Sequence, residues 1–150
     1  MNRRKALQTL SASAIILATT NANANANPKS TENKKSSFNR IKMSPKDVKN
    51  LTKGEKKHTP QITIKDKDSK GFTLIEINVG SDGIIHPSTK NHWIDFIKLY
   101  ADNKLVGHTE LEGEISRGFS SFSVNLKNIK SLKAVSGCNL HGIWETSHTL

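Results

Sequence analysis

Cysteine is nearly absent from this sequence: the 150 residues include one, Cys138, which cannot form a disulfide within the chain. Exported domains usually use their cysteines in pairs, as disulfides. Three roles remain for a lone thiol: a buried inert side chain, a bridge to another molecule, or a metal ligand. The residues around Cys138, and any other side chains that could bind a metal, therefore have to be considered to distinguish these roles.

Long hydrophobic runs are also missing, because the apolar stretch at residues 6–20 is shorter than the roughly 20 residues that span a bilayer. This stretch follows the basic segment Arg3–Lys5 and precedes the tract NANANAN, which offers small-residue cleavage sites. That order is typical of a secretory signal. We therefore predict a signal peptide over residues 1–26, a periplasmic location, and no membrane association after cleavage.

The paired Arg3 and Arg4 resemble a twin-arginine signal, which exports folded proteins, often with a cofactor already in place. Leu7, three residues after the second arginine, fits that motif. The usual Ser or Thr before the pair and the usual Phe after it are missing. A general secretory signal that contains two arginines is therefore the alternative.

Acidic residues are scarce: 13 Asp and Glu face 23 Lys and Arg, for a net charge of +10. Removing the three basic residues of the predicted signal leaves about +7, a charge that attracts small anions and acidic protein partners. Nucleic acid is not an expected partner, because the chain is exported and lacks a basic helix. Residues 27–50 are polar and rich in lysine, and we predict a flexible basic linker there. Residues 51–150 then form one folded domain.

Sustained helical periodicity is missing from the folded domain. Instead, six or seven short segments are separated by turn signals such as SDG at 81–83 and ADNK at 101–104. In FSSFSVNL, the apolar residues Phe122, Val124 and Leu126 alternate with polar ones. Alternation with frequent turns is typical of an antiparallel β-sandwich, so we predict an all-β fold of about seven strands.

The lone cysteine lies in the segment GCNLHGIWE, with His141 three residues after Cys138. The segment follows a predicted strand and is turn-like, so a thiolate and an imidazole there can reach the same metal ion. Soft sulfur favours iron, copper or zinc over calcium or magnesium. Cys-x-x-His alone is a moderate signal for a metal site.

Three more histidines strengthen the metal hypothesis. His86 and His92 lie six residues apart across one loop in IIHPSTKNHW, and His58 directly precedes the first predicted strand. Each alone is more often a surface histidine than a ligand. Together with Cys138 and His141 they make five candidate ligands, which exceeds the four that a structural zinc site requires.

The segments EKKHTPQI, HPSTKNHW and CNLHGIWE resemble, in this order, the ligand segments of the superoxide reductases. These proteins are also called neelaredoxins, or the iron domain of desulfoferrodoxins. The resemblance covers roughly residues 55–146 and implies an immunoglobulin-like β-sandwich. Because no Cys-x-x-Cys element precedes the domain, it implies the single-iron type without the rubredoxin-like domain.

The resemblance also implies a cofactor and a reaction. One mononuclear iron, alternating between Fe2+ and Fe3+, would have an axial thiolate from Cys138 and four equatorial imidazoles, from His58, His86, His92 and His141. The open sixth position would bind superoxide. The implied enzyme is an oxidoreductase that reduces superoxide by one electron to hydrogen peroxide and so detoxifies superoxide outside the cytoplasm. An external electron donor, expected to be a small redox protein, would reduce the iron again.

Two residues before the first ligand bear on catalysis. Lys57 matches the family's lysine, and the resemblance implies that it draws superoxide to the iron and orders a water that supplies a proton. The family's glutamate, which can occupy the sixth position, has no match: Lys56 stands there, and Glu55 is displaced by one. On an extended loop such an offset turns a side chain to the other side, so Glu55 is not expected to reach the metal.

Other residues around the site have simpler expected roles. Trp93 and Trp144 should form an apolar wall around the metal. Backbone N–H groups of residues 139–141 should point at the sulfur and tune its potential. His108 and His148 are expected to be bystanders.

Two other functions remain open from the residues. A cupredoxin-like electron carrier is also an exported β-sandwich, but blue copper normally uses two His, one Cys and a following axial Met. The chain's methionines, Met1 and Met43, both precede the candidate ligands. The second alternative is a non-catalytic metal-binding β-sandwich module, since fold does not determine function. The electron donor and the oligomeric state, a homo-oligomer included, are left open.

Overall fold

The computed structural model describes residues 37–150, and within them the chain forms one short helix and seven strands. In chain order these are α1 (Lys53–His58), β1 (Pro60–Lys67), β2 (Thr73–Val79), β3 (Ile94–Ala101), β4 (Lys104–Glu110), β5 (Phe119–Val124), β6 (Ser131–Cys138) and β7 (Gly142–Thr149). The predicted signal peptide and the first part of the predicted linker lie outside the described residues. Among those described, no helix has the length and apolarity needed to cross a membrane.

The strands form two antiparallel sheets that face each other. One sheet has the order β1-β2-β5 and the other has the order β4-β3-β6-β7. Three strands packed against four is an immunoglobulin-like arrangement. The predicted all-β sandwich of about seven strands is therefore confirmed.

The core lies between the sheets and follows the two-residue period of the strands. In β2, for example, Ile75, Ile77 and Val79 are buried while Leu74 and Asn78 are exposed. Residues of the opposite sheet, such as those in β3 and β6, meet them in one cluster. Each fully buried Ile or Leu contributes roughly 1.5–3 kcal/mol, so this layer stabilises the scaffold that carries the strand ends.

The residues before β1 are helical, not an extended loop as the sequence interpretation assumed. Thr52 caps α1: its Oγ1 accepts a hydrogen bond from the Glu55 N–H, and the Glu55 carboxylate accepts one from the Thr52 N–H. This reciprocal pair is a capping box, which satisfies backbone donors at the start of a helix. The box therefore marks the start of α1, which ends at His58.

Part of the predicted linker runs along the edge of the four-stranded sheet. The Ile143 N–H donates to Ile41 O and the Met43 N–H donates to Ile143 O, both at 2.8 Å, and Lys42 forms a parallel bridge with Ile143. An edge strand leaves a row of unpaired backbone groups, and this segment covers those of β7. Residues 38–43, called the strap below, therefore differ from the flexible linker predicted over 27–50.

The capping box yields a test of how α1 is held. Thr52→Ala removes the hydroxyl that bonds both the backbone and the carboxylate of Glu55, so we expect a loss of about 0.5–2 kcal/mol in unfolding free energy. Urea denaturation of the metal-free protein measures this loss. Thr52→Ser is the matched control, because it retains the hydroxyl and should lose much less. Equal losses for the two variants would show that the hydroxyl does not stabilise α1.

Candidate metal centre

The candidate ligands meet at the end of the sandwich where β3 and β7 begin and where β2 and β6 end. His58 is the last residue of α1, and Cys138 is the last residue of β6. His86 and His92 lie in the loop between β2 and β3, and His141 lies in the turn between β6 and β7. Three segments that are distant in sequence therefore approach one point.

Four of the donor atoms lie within 4.8 Å of one another, in His58, His92, Cys138 and His141. His141 Nδ1 is 3.1 Å from His58 Nε2, 3.0 Å from His92 Nε2 and 3.5 Å from the Cys138 sulfur. Two nitrogens that bind one metal ion at about 2.1 Å and at right angles lie about 3.0 Å apart. The nitrogen spacing therefore suits a shared metal ion.

His86 is not one of those four, but its ring lies against the cluster. Its ring centroid is 4.8 Å from that of His58 and 4.6 Å from that of His92. The His86 Nδ1–H donates to Pro87 O at 2.7 Å, whereas Nε2 is buried and has no hydrogen-bond partner. An unsatisfied buried nitrogen of this kind costs about 1–3 kcal/mol, and a metal ion would satisfy it.

Backbone carbonyls orient two of the imidazoles. The His58 Nδ1–H donates to Gly54 O at 2.7 Å, as His86 does to Pro87 O. Each bond assigns the proton to Nδ1 and leaves the lone pair on Nε2. Such outer hydrogen bonds are typical of histidines that bind metals.

Burial keeps the imidazoles neutral. It lowers the pKa of His58 to about 4 and that of His86 to about 3, against the effect of the backbone hydrogen bond that each makes. The pKa of His92 is lowered too, first by burial and then by the charge of His141. At neutral pH these rings are therefore neutral, and each has one nitrogen with a free lone pair, as metal ligation requires.

Cys138 is a buried free thiol, and burial raises its pKa. Hydrogen bonds from the backbone N–H groups of His141 and Leu140 act in the opposite direction. This confirms part of the expectation for residues 139–141. The exception is the Asn139 N–H, which donates to Trp93 O instead of the sulfur.

Asn139 has a structural role that the sequence did not suggest. Its Oδ1 accepts from the Trp93 N–H at 3.0 Å, and its Nδ2 donates to Asn91 O at 2.9 Å. The side chain thus ties the loop that carries His92 to the turn that follows Cys138. Only its position directly after Cys138 could have indicated this role from the sequence.

The two lysines before His58 face different surroundings. Lys56 forms an ion pair with Asp82 at 2.7 Å. Lys57 is half-buried, and its positive charge contributes to the lowered pKa of both His58 and His92. Lys57 is therefore near the cluster, whereas the charge of Lys56 is compensated by Asp82.

Glu55 is held within its own turn. Its Oε1 accepts from the Lys46 N–H at 2.8 Å, and its Oε2 accepts from the N–H and the hydroxyl of Thr52 at 2.8 and 2.7 Å. These bonds hold the pKa of Glu55 below its usual value, so the carboxylate is charged. The expectation that Glu55 stays away from the ligands agrees with this geometry, but the reason is the capping box and not an extended loop.

Aromatic residues border the cluster. Trp144 stacks on His58 with ring centroids 5.4 Å apart, and its Nε1–H donates to His141 O. Trp93 is buried beside His92 in the chain. Trp144 therefore forms part of the predicted apolar border, whereas the same role for Trp93 stays a prediction. His108, on β4, instead packs edge-on against Phe96 of β3 and is outside the cluster.

The donor set fits a first-row transition metal. One thiolate with several neutral imidazoles suits iron, copper or zinc, and not calcium or magnesium. The unpartnered Nε2 of His86 adds a fifth donor, one more than the four of a structural zinc site. The residues present therefore fit a mononuclear metal with five protein ligands.

Several known proteins are similar to this chain in sequence. The chain is 34% identical over 102 residues to a putative superoxide reductase of Methanocaldococcus jannaschii, covering 65% of this chain and 85% of that one. It is 31% identical over 110 residues to the neelaredoxin of Megalodesulfovibrio gigas, covering 61% and 84%.

Solved structures agree with these relatives. The single-iron superoxide reductase of Giardia intestinalis is similar at 31% identity and a TM-score of 0.53, over 63% of this chain and 99% of that chain. The superoxide reductase of Nanoarchaeum equitans is similar at 27% identity and a TM-score of 0.54, over 63% and 93%. The sequence profile described as Desulfoferrodoxin matches residues 50–147, which include all five candidate ligands. This chain belongs to the desulfoferrodoxin family.

Proposed function

We propose that the protein is a superoxide reductase with one mononuclear iron, which reduces superoxide by one electron and releases hydrogen peroxide. The observation that carries this proposal is the meeting of four imidazoles and one thiol at one end of the sandwich. Similar proteins that bear the name superoxide reductase support it. An external electron donor completes the cycle.

The chain's own residues would hold the iron, namely His58, His86, His92, Cys138 and His141. When bound, the iron supplies the electron that converts superoxide to peroxide, and two protons complete hydrogen peroxide. Neutral imidazoles add no charge, so a ferrous ion with one thiolate leaves a net charge of +1 at the centre. A positive centre in a basic protein favours an anionic substrate.

Lys57 and Trp144 would prepare the approach of the substrate. The ammonium of Lys57 attracts superoxide toward the exposed side of the cluster, where His92 is half-buried and His141 is exposed. It also orders water from which a proton is taken. Trp144, stacked on His58, restricts water on the opposite side.

Metal analysis with an optical spectrum of the oxidised protein tests the cofactor. One iron per chain with a sulfur-to-iron charge-transfer band is expected. Stoichiometric copper with an intense blue band would contradict the proposal and support an electron carrier instead.

Replacing the cysteine tests the ligand set. We expect Cys138→Ser to abolish superoxide reduction and the charge-transfer band, because serine is rarely deprotonated and is a poor ligand for this metal. His148→Ala, which removes a histidine of β7 outside the cluster, should retain both. A Cys138→Ser protein with full activity and an unchanged band would show that the sulfur is not a ligand.

Variants of the two adjacent lysines distinguish the effect of a charge beside the metal centre from the effect of the overall basic surface. Lys57→Ala should leave iron content and spectrum nearly unchanged but should slow the second-order reaction with superoxide by roughly tenfold at low salt, with a smaller effect as salt screens the charge. Lys56→Ala is the matched control, because Asp82 already compensates that charge. Pulse radiolysis at low and high ionic strength measures both rates. Equal losses would show that only the overall basic surface matters.

We also propose that the protein acts in the periplasm, on the basis of the signal-like sequence of residues 1–26. If export follows the twin-arginine route, replacing both Arg3 and Arg4 by lysine should block it although the charge is unchanged. Cell fractionation followed by detection of the mature protein measures export. Normal appearance of the double variant in the periplasm would argue for the general secretory route.

A further inference from the structure

The strap contacts the metal centre as well as the sheet edge. The Asn39 N–H donates to Asn139 O at 2.8 Å, and the Asn39 Nδ2 donates to Leu140 O at 3.0 Å. Both acceptors lie in the turn between Cys138 and His141. The strap precedes residues 50–147, so this support comes from outside the part of the chain that matches the family.

Arg40 anchors the strap to β3. Its guanidinium bonds both carboxylate oxygens of Asp95, at 3.2 and 2.6 Å, and the Asp95 side chain is only 4% exposed. The guanidinium also lies 5.2 Å from the Phe38 ring centroid and 5.5 Å from that of Phe96. A bidentate pair between two aromatic rings has a defined orientation, which lysine would not reproduce.

This ion pair lies directly behind the cysteine. Ile94 of β3 pairs with Cys138 of β6, and the register shifts between Ile94 and Phe96, at the position of Asp95. Asp95 therefore directly follows the pairing partner of Cys138 in β3, and the Arg40 guanidinium accompanies its carboxylate there. The carboxylate and the guanidinium therefore oppose each other at the same ligand.

We propose that Arg40 is a positioning residue for the metal centre, which holds the Cys138–His141 turn through the strap and offsets the charge of Asp95 beside the sulfur. This inference rests on the proposed iron–thiolate centre. The electron density of a thiolate ligand is one of the main determinants of a metal centre's potential. A charge that is partly buried acts on it more strongly than a charge in water.

Removing either charge should shift the charge-transfer band and the reduction potential in a defined direction. Without the guanidinium, the negative charge of Asp95 raises the energy of the sulfur electrons and stabilises the ferric state. The sulfur-to-iron charge-transfer band then moves to longer wavelength, and the reduction potential falls. Without the carboxylate, the guanidinium has the opposite effect on both quantities.

The experiment uses the full-length mature protein loaded with iron, with optical spectra and redox titration of each variant. We expect Arg40→Gln to shift the band to longer wavelength and lower the potential, and Asp95→Asn to shift both in the opposite direction. The double variant, which lacks both charges, should return close to the wild type. Arg40→Lys retains the charge without the bidentate bond, so its band should stay near that of the wild type while its melting temperature falls.

Lys65→Gln is the matched control, because it removes the cation of another ion pair, with Glu76, on the three-stranded sheet. Its spectrum should not change. If Arg40→Gln and Asp95→Asn leave the band unchanged, or shift it in the same direction, the ion pair only stabilises the fold and the inference is overturned. A wild-type protein without any sulfur-to-iron band would instead overturn the proposed iron–thiolate centre itself, and the inference with it.

Discussion

The structure depends on one constraint: several buried imidazole nitrogens and one buried sulfur must share a single point. His58 and His141 are 83 residues apart, yet their ring nitrogens are 3.1 Å from each other. Burial makes the charged forms of His58 and His86 unfavourable, so both rings are neutral where the side chains crowd together. A common cation would resolve this crowding, and the strand ends of the sandwich keep the donors in place for it.

Charge is distributed unevenly around that point. On the side of the imidazoles, His141 is exposed and the positive charge of Lys57 is close enough to lower the pKa values of two ligands. Behind the sulfur, a nearly buried carboxylate is paired with the guanidinium of Arg40. The side with His141 and Lys57 therefore favours an anionic substrate. The side with Arg40 and Asp95 influences the electron density of the thiolate.

The strap joins two functions in one short segment. Its backbone hydrogen bonds cover the exposed edge of β7, which would otherwise be available for pairing with another chain. The Asn39 side chain reaches the turn that follows Cys138, and the Arg40 side chain reaches Asp95 on β3, the strand that pairs with β6. A segment that contains no candidate ligand thus supports the ligand that most strongly influences the metal.

Residue type and local pattern determined much of this protein. Alternation in segments such as FSSFSVNL predicts strands, and the spacing of His86, His92, Cys138 and His141 predicts a metal site, because such patterns need only neighbouring residues. The helical turn that begins at the Thr52–Glu55 capping box was not predicted, because the segment before His58 was interpreted as an extended loop. Only the tertiary structure decided that a lysine-rich segment pairs with β7 and that Arg40 meets Asp95, 55 residues away. Those contacts arise from a free sheet edge and a buried carboxylate, and both exist only after the sheets have folded.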